Sequence, residues 1–214
     1  MTVHRIASDI GYDSNIFLIV GERTVLVDAG TGLSTDKVVH GIREILGSRK
    51  LDIIVLTHCH VDHVGGLVPL SKEFDAEIMA GIGDAPFIAN GDPKYTLSRM
   101  FDVQLGQVEV TELVDGDVID IGEHRLRVID TPGHTMGGIC LYDEVTKGLF
   151  SGDTVFSQGV GRTDFISGSS HDLISSLRKL RDLDIGMLYP GHMECTKDGN
   201  AAIEYGLLMM GGMR

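Results

Sequence analysis

The feature that most constrains the fold of this chain is a short apolar run that leads directly into a loop rich in histidine. Residues 51–56 are apolar apart from Asp52, which is typical of a strand buried on both faces of a sheet. Residues 58–63 then contain three His and one Asp. The sequence therefore predicts a layered α/β fold in which a buried strand carries metal-competent side chains to the end of a sheet.

The same order of an apolar strand, a Gly or Pro turn and a metal-competent side chain occurs four times along the chain. After the first occurrence it returns at three single residues, His134, Asp153 and His192. Functional side chains collect at such strand ends in layered α and β proteins. We therefore expect all four strand ends to contribute to one site.

The remaining periodicities place further helices and strands around these loops. The predicted elements are a hairpin of strands 16–20 and 24–27, a helix that begins near Ser34 and ends before Gly47, a helix from near His63 to Phe74, strands joined by turns within 77–128, strands at 126–130, 149–150 and 185–189, and helices over 171–183 and 197–210. Residues 87–107 have weak periodicity and are predicted as a helix and loop near the site. No linker, low-complexity tract or repeat divides the sequence, so we expect residues 1–214 to form a single domain.

Charge and cysteine content exclude several classes of function. Lys and Arg total 18 and Asp and Glu total 31, and the formal charge of −13 disfavours general binding of nucleic acid. Three cysteines without CxxC spacing disfavour a disulfide framework and fit a reducing compartment. The N-terminus lacks a signal pattern, and no apolar run approaches the ~20 residues that cross a bilayer. We therefore expect a cytoplasmic protein that has no membrane partner.

The spacing within the histidine-rich loop predicts more than one metal ion. Residues i and i+2 of an extended chain point to the same side, so His58 and His60 can share one ion. Asp62 and His63 are redirected where the chain turns into the following helix, which allows them to reach a second ion. A lone His is usually structural, but three His and one Asp within six residues favour a metal site.

The other strand ends complete the expected set of ligands. His134, Asp153 and His192 add imidazole and carboxylate groups, and a carboxylate can bridge two ions through its two oxygens. Ligands without thiolate suit Zn, Fe or Mn, and a set that leaves room for water favours catalysis over a structural site. The other four histidines, His4, His40, His124 and His171, are scattered and are predicted to be ordinary surface or core residues.

The segments THCHVDHVGG, TPGHTMGG, SGDTVF and YPGH, in that order, resemble the metallo-β-lactamase superfamily. The resemblance extends from VDAG to the final GH and implies a four-layer αββα sandwich, with the metals at one edge of the paired sheets. By position, it implies that the first metal is held by His58, His60 and His134, and that the second is held by Asp62, His63 and His192. It further implies that Asp153 bridges the two metals and that Asp28 supports the histidine-rich loop from behind.

Within the superfamily, an aspartate at position 153 resembles the branch that includes glyoxalase II. The segment GDTVFSQGVGRTDF is similar to short, single-domain glyoxalase II-like proteins, and we expect no additional glutathione-contacting helical domain in 214 residues. The resemblance implies two divalent ions, with Zn favoured and Fe or Mn as alternatives. It implies hydrolysis of an anionic, small-molecule thioester such as S-lactoylglutathione, by a hydroxide that bridges the metals and that Asp62 orients. A homodimer is left open.

Three further residue assignments accompany this hypothesis. Arg162 follows a Gly-rich segment just after Asp153 and can recognise a carboxylate, although a structural pair with Asp164 is an equal alternative. Cys59 lies between two predicted ligands and is expected to point away from them. Met100 and Phe101 are assigned to the core in preference to an apolar lid over the site.

Two rival functions remain at this point. Persulfide dioxygenases also resemble the sequence, with a Cys between the first two His and a GRTDF segment, and they use one iron, which by position would be held by His58, His134 and Asp153. The Gly65-Gly66 pair favours the hydrolase. The other rival is a non-catalytic metal-binding or interaction protein, and it is disfavoured because every ligand position is filled.

Overall fold

The computed structural model describes residues 1–212 and contains two large β-sheets that pack face to face between two layers of helices, together with a small two-stranded sheet of residues 155–160. The strands are β1 (Thr2–Ile6), β2 (Ile16–Val20), β3 (Thr24–Val27), β4 (Ile53–Leu56), β5 (Glu77–Gly81), β6 (Thr111–Leu113), β7 (Val118–Asp120), β8 (Arg125–Asp130), β9 (Ile139–Asp143), β10 (Gly148–Gly152), β11 (Val155–Phe156), β12 (Gly159–Val160) and β13 (Met187–Pro190). The helices are α1 (Thr35–Leu46), α2 (Val61–Val64), α3 (Leu67–Phe74), α4 (Ala85–Asn90), α5 (Ser170–Arg181) and α6 (Gly199–Met209), and a 3₁₀ turn covers Ser98–Met100.

The first sheet has the order β1-β2-β3-β4-β5-β6. The predicted hairpin of β2 and β3 is confirmed, and β1 adds to its free edge in antiparallel orientation. From β3 to β6 the strands are parallel, so their carboxyl ends lie at the same edge of the sheet. The residues that follow β3, β4 and β5 are therefore brought close together.

The second sheet has the order β13-β10-β9-β8-β7. Strands β10 and β13 are parallel, while β8 and β10 both pair antiparallel with β9 and therefore run in the same direction. The carboxyl ends of β8, β10 and β13 consequently share one edge. A backbone hydrogen bond of 2.9 Å from Ile139 N to Thr57 O joins this edge to the carboxyl end of β4.

Three separate apolar cores produce the four layers. On β4, Ile54 and Leu56 pack toward α1 and α3, whereas Ile53 and Val55 face the second sheet, because successive strand residues point to opposite faces. The third core packs β8, β9 and β10 against α5 and α6. The αββα sandwich expected from the sequence is confirmed, as is the prediction that the strand before the histidine loop is buried on both faces. No helix among residues 1–212 combines the length and apolarity needed to span a bilayer.

The helix predicted from His63 to Phe74 is wrong as a single element, because the chain forms α2 and α3 with a break at Gly65-Gly66. At this break the backbone of both glycines lies against the loop that follows β3. A Cβ atom on Gly65 would collide with the carbonyl oxygen of Thr31, and one on Gly66 would collide with that of Ala29. The segment 87–107 also differs in its limits, since α4 starts at Ala85 and only the 3₁₀ turn follows it.

Candidate metal centre

The histidine-rich loop changes direction between its two halves. Strand β4 ends at Leu56, His60 is still extended with φ −67° and ψ 147°, and α2 begins at Val61. His58 and His60 therefore extend from an open chain, while Asp62 and His63 project from a helical turn. Between the first two, Cys59 is buried in the core under α3, and its thiol lies 3.4 Å from Tyr95 O, so it points away from the ligands as expected.

The second sheet supplies the other three side chains. His134 follows β8, Asp153 follows β10 directly, and His192 follows β13 after one glycine. That glycine, Gly191, lies so close to the cluster that a Cβ atom would collide with Asp153 Oδ1. The close approach of the backbone explains why a Pro-Gly turn, with no side chain at its second residue, precedes His192.

The structure brings all seven predicted ligands into one cluster. The ligand atoms of three groups lie within 4.8 Å of one another, and the groups are His58-His60-His134, His58-His63-Asp153 and Asp62-His63-His192. The first and third groups are the two ligand sets that the resemblance to the superfamily implied. Their roles as ligands stay a prediction, while their proximity is a property of the fold.

Asp153 lies between the two groups. One carboxylate oxygen, Oδ1, is 3.3 Å from His63 Nε2. The other, Oδ2, is 3.5 Å from His134 Nε2 and 3.7 Å from His192 Nε2. A single carboxylate therefore faces imidazoles of both groups: Oδ1 lies against His63 of the second group, and Oδ2 lies between His134 of the first group and His192 of the second.

Hydrogen bonds behind the cluster determine which ring nitrogen faces it. His63 Nδ1 lies 2.8 Å from Asp28 Oδ2, and His134 Nδ1 lies 2.6 Å from the backbone oxygen of Arg162. A carboxylate and a carbonyl oxygen accept hydrogen bonds, so each Nδ1 carries a proton and each Nε2 is the nitrogen that faces the cluster. This arrangement is the one that histidine ligands of metals commonly show.

Asp28 is positioned as the sequence predicted, behind the histidine-rich loop. Its Oδ1 accepts a hydrogen bond of 2.8 Å from Thr57 N, and its Oδ2 accepts from Thr57 Oγ1 at 2.9 Å in addition to contacting His63. Asp28 is itself buried and has a φ of +63°, a conformation that non-glycine residues rarely adopt. The carboxylate therefore fixes both the start of the loop and the orientation of one imidazole.

Unsatisfied polar atoms show that the cluster fits a cation. Within the part of the chain that the structure describes, His58 Nε2, His60 Nε2, His63 Nε2 and Asp153 Oδ1 are buried and have no hydrogen-bond partner, since the last two are 3.3 Å apart but lack the geometry of a hydrogen bond. Buried polar atoms without a partner are costly and rare, so four in one cluster need an explanation. A divalent cation bound by imidazole and carboxylate groups supplies one, and this set of donors suits it.

The protonation states of the cluster suit metal binding. Burial, reinforced by the neighbouring imidazoles, lowers the pKa of His58 well below its usual range and that of His60 to about 3, so both rings are neutral at neutral pH. Burial alone would raise the pKa of Asp153, but the surrounding histidines, His63 first, outweigh it and lower that pKa. For His63, burial is outweighed by Asp28 and Asp153, which raise its pKa, so a bound cation must displace a proton there.

Two residues that support the cluster were missed by sequence reasoning. Asp84, after β5, accepts hydrogen bonds from Cys59 N at 2.9 Å, Thr135 Oγ1 at 2.7 Å and Gly137 N at 2.9 Å. Asn15 Nδ2 donates to Pro190 O at 2.9 Å and to Met193 O at 2.8 Å, on either side of His192. Asp84 follows a strand end like the predicted ligands, and that signal could have identified it. Asn15 carries no such signal.

A cavity of about 390 Å³ opens onto the cluster. His60, Asp62, His134, Asp153 and His192 form its polar floor. Its apolar walls are formed by Leu97, Met100, Phe101, Phe156, Val160 and Phe165. The assignment of Met100 and Phe101 to the core is therefore wrong, since both line the cavity and Met100 is 69% exposed.

Arg162 shows features of both alternatives that the sequence left open. It lines the cavity, and its side chain is 65% exposed. It also donates to Asp164 through Nε at 2.9 Å and Nη2 at 2.7 Å, and its guanidinium lies 4.3 Å from the ring centre of Phe165. The side chain is thus held at the rim of the cavity by an exposed acidic partner.

Comparison with known proteins agrees with the fold and the cluster. A family model described as the metallo-beta-lactamase superfamily matches residues 10–192. The chain belongs to this superfamily, and its fold is the four-layer sandwich described above. Together with the His and Asp cluster, this membership identifies a hydrolase with a site suited to divalent metal.

Three relatives narrow the comparison. A probable metallo-hydrolase of Methanocaldococcus jannaschii is 32% identical over 192 residues, which are 86% of this chain and 89% of that protein. The acyl-coenzyme A thioesterase MBLAC2 of Homo sapiens is 32% identical over 210 residues, covering 85% of this chain and 74% of that protein. A hydroxyacylglutathione hydrolase of Rhodopseudomonas palustris is 38% identical over 144 residues, 67% of this chain but only 49% of that enzyme.

Among solved structures, one protein crystallised in a di-iron-bound form is 28% identical, with a TM-score of 0.78 over 92% of this chain and 96% of that one. The two chains therefore share the fold over nearly their full lengths.

Proposed function

We propose that this protein is a dinuclear metal-dependent hydrolase that cleaves a small-molecule thioester. The observation that carries the proposal is Asp153, whose carboxylate lies between the two groups of histidines and contacts imidazoles of both. A carboxylate in this position is suited to bridge two cations. Two relatives of the chain, the thioesterase and the hydroxyacylglutathione hydrolase, have names that denote thioester hydrolysis and support this class of substrate.

The seven clustered side chains would hold the two ions in the sets that the sequence predicted. The first set is His58, His60 and His134, the second is Asp62, His63 and His192, and Asp153 is shared. When bound, two divalent cations supply a water of lowered pKa and stabilise negative charge that develops on a carbonyl oxygen. We propose Zn as the physiological ion, with Fe or Mn as alternatives. We further propose a cytoplasmic protein that acts on a small anionic substrate, binds neither nucleic acid nor membrane, and can form a homodimer.

Asp62 is proposed to orient the attacking water. Its Oδ2 lies 3.2 Å from His192 Nε2, and it lines the cavity. Burial would raise the pKa of Asp62, but the hydrogen bond from His192 and the charge of His63 outweigh burial and lower it. The carboxylate is therefore ionised at neutral pH and available as a hydrogen-bond acceptor on the floor of the cavity.

The experiment that tests this function compares the wild type with Asp153→Ala on thioester substrates. We expect the Zn-loaded wild type to cleave S-lactoylglutathione or an acyl-coenzyme A, and we expect Asp153→Ala to lose this activity together with bound metal. His40→Ala, at an exposed histidine on α1, is the matched control and should retain both. Full activity of Asp153→Ala with two bound ions would show that Asp153 does not bridge the metals. Consumption of O₂ with a persulfide by a one-iron protein would support the dioxygenase instead.

Arg162 is proposed to bind an anionic group of the thiol part of the substrate. It would exchange Asp164 for a substrate carboxylate at the rim of the cavity, where Arg can form a bidentate pair. We expect Arg162→Ala to raise KM for anionic thioesters by roughly tenfold, about the strength of one charged hydrogen bond, and to leave neutral thioesters nearly unchanged. Arg125→Ala, an exposed arginine near Asp120, is the control. An equal rise in KM for anionic and neutral thioesters would show that Arg162 does not bind the anionic group of the substrate.

A further inference from the structure

The walls of the cavity suggest which part of a thioester they contact, and this inference rests on the function proposed above. We propose that the acyl group of the substrate is an apolar chain of medium length, held between the 3₁₀ turn at Ser98–Met100 and the segment that follows Asp153. Leu97, Met100 and Phe101 form one wall. Phe156, Val160 and Phe165 line the cavity from the segment that follows Asp153.

The polar side chains of the cavity belong to the metal cluster and to Arg162 at the rim, and none belongs to its apolar walls. The side chains that line it and carry a hydrogen-bonding group are the five of the metal cluster and Arg162, which is paired with Asp164. Among the described residues, the lining contains no Ser, Thr, Asn, Gln or Tyr side chain that could pair with a hydroxyl on the acyl group. A hydroxyacyl group would leave its hydroxyl unpaired against apolar walls, which costs free energy, whereas a hydrocarbon chain gains by leaving water.

The apolar surface continues outward from the cavity. Tyr12, 50% exposed, packs its ring 5.4 Å from that of Phe101, next to the exposed Met100. Contiguous exposed apolar side chains at the mouth of a site favour a binding role over a core role. An acyl chain that filled the cavity could extend over this surface.

The wall formed by the 3₁₀ turn is anchored to the metal loop. Val61 N donates to Thr96 O at 2.8 Å, which connects this segment to the start of α2. The next residue, Leu97, has a φ of +59°, a left-handed conformation that is strained for a leucine. Strain of this kind persists where the surroundings hold a residue in place, and it collects at ligand sites. Here the surroundings hold Leu97 in this conformation, with the residue in the lining of the cavity.

The volume indicates the length of acyl chain that the cavity itself encloses. At about 30 Å³ for each heavy atom, the share that one water occupies in the liquid, a cavity of 390 Å³ holds roughly 13 heavy atoms. The thioester group and the first atoms of the thiol occupy some of them. The remainder fits an acyl chain of roughly six to ten carbons.

The activity test uses acetyl, butyryl, hexanoyl and octanoyl thioesters of one neutral thiol, N-acetylcysteamine, so that Arg162 does not affect the comparison. We expect kcat/KM to rise by up to about fourfold for each added methylene, the value that corresponds to burial of one methylene. We also expect a butyryl thioester to be preferred over its 3-hydroxybutyryl analogue. A rate that is independent of chain length, or a preference for the hydroxyacyl thioester, would overturn the proposal.

A variant locates the effect in the cavity. Met100→Gln keeps the length of the side chain but makes it polar, so we expect kcat/KM to fall about tenfold for octanoyl thioester and much less for acetyl thioester. Met209→Gln, at an exposed methionine of α6, is the matched control and should change neither value. Equal losses on both substrates in Met100→Gln would indicate a general structural effect and contradict the assignment.

A binding measurement separates this proposal from the proposed function. The chain contains no Trp, so Phe101→Trp introduces a single indole at the mouth of the cavity. In the metal-loaded variant, octanoate should shift the indole emission to shorter wavelength at concentrations where acetate has no effect. This shift without any thioester cleavage would overturn the hydrolase function and support the apolar site. Cleavage without the shift, and with rates independent of chain length, would support the hydrolase and overturn the apolar site.

Discussion

Asp84 shows how a residue that touches no ligand atom can determine where the ligands lie. It is buried, and its carboxylate accepts hydrogen bonds from the backbone between His58 and His60 and from the two residues Thr135 and Gly137 that follow His134. It thereby connects two loops that come from different sheets. Burial raises the pKa of Asp84, since the surrounding hydrogen bonds compensate only part of the loss of water.

We predict that Asp84→Asn lowers metal affinity about 10- to 100-fold, the usual effect of removing a partner that orients metal ligands. An amide offers one acceptor and one donor group, so at least one N–H of the loops would face another N–H. Unfolding should become easier by about 1–3 kcal/mol. The affinity is measured by competition with a chelator.

Asp143→Asn is the matched control for Asp84→Asn. Asp143 is also buried and accepts from three groups, Val145 N, Thr146 Oγ1 and His124 Nδ1, but none of them belongs to the metal cluster. Its substitution should reduce stability and leave metal affinity unchanged. If both variants lost affinity equally, the role of Asp84 would be general stability.

At the scale of residues, the sequence located the candidate metal ligands better than the residues that hold those ligands in place. All seven candidate ligands could be found because they follow strand ends in a recognisable order, and Asp28 was implied by the resemblance to the superfamily. Asn15 could not, because it acts on backbone oxygens 175 and 178 residues away. Whether Met100 belonged to the core or to the cavity was also undecidable, since an apolar side chain suits both and only the fold determines its neighbours.

The break between α2 and α3 depends on close packing of the backbone. Gly65 has helical dihedral angles, φ −61° and ψ −35°, so alanine would suit its conformation and would ordinarily stabilise a helix. At this position, however, the Cβ would collide with the carbonyl oxygen of Thr31, which is backbone and cannot turn aside.

We therefore predict that Gly65→Ala destabilises the protein by roughly 3 kcal/mol, against the usual propensity. Gly11→Ala is the control, because no atom lies within 4 Å of its Cβ position and the change should stay within about 0.5 kcal/mol. Urea denaturation measures both. A Gly65→Ala variant that is as stable as the wild type would show that the break between α2 and α3 does not pack against the loop after β3 as described.

The turn between β9 and β10 provides a pH-dependent contribution to stability. Burial would raise the pKa of Asp143, but hydrogen bonds from Thr146 and Val145, followed by His124, outweigh burial and lower it. The unfolded chain then binds a proton at a higher pH than the folded chain. The stabilisation is complete above the unfolded pKa of about 3.9 and is lost as the pH falls through the lowered folded value.

We predict that the difference in free energy of unfolding between wild type and Asp143→Asn is larger at pH 6 than at pH 3. Both proteins are measured by urea denaturation after removal of metal, since acid releases imidazole ligands from metal. A difference that is independent of pH would contradict the lowered pKa.

At the scale of elements, strong periodicity of apolar residues predicted helices and strands correctly, whereas features that depend on close contacts in the fold could not be predicted. The β2–β3 hairpin, α1 and the doubly buried β4 follow the expected spacing of apolar residues. The division into α2 and α3 was not visible, because it results from contact between Gly65 and a loop more than thirty positions earlier in the chain. Strand β1, with its mixed burial, was also missed.

At the scale of the whole molecule, the site exists because two sheets end at a common edge. Residues after β3 and β4 come from one sheet and residues after β8, β10 and β13 from the other, and the two sets meet with Asp153 between the histidines. The order of strands in each sheet could not be derived from spacing alone. The expected sandwich came from resemblance to a family, and the structure and the family model agree with it.

The central claim, that this edge holds two metal ions, is tested most directly by the metal content of the purified chain. After loading with Zn and removal of free metal, elemental analysis should give about two ions per chain for the wild type, as expected for a two-metal hydrolytic site. Asp153→Ala should fall clearly below that value, while His40→Ala should match the wild type. One tightly bound ion, or none, in the wild type would contradict the claim.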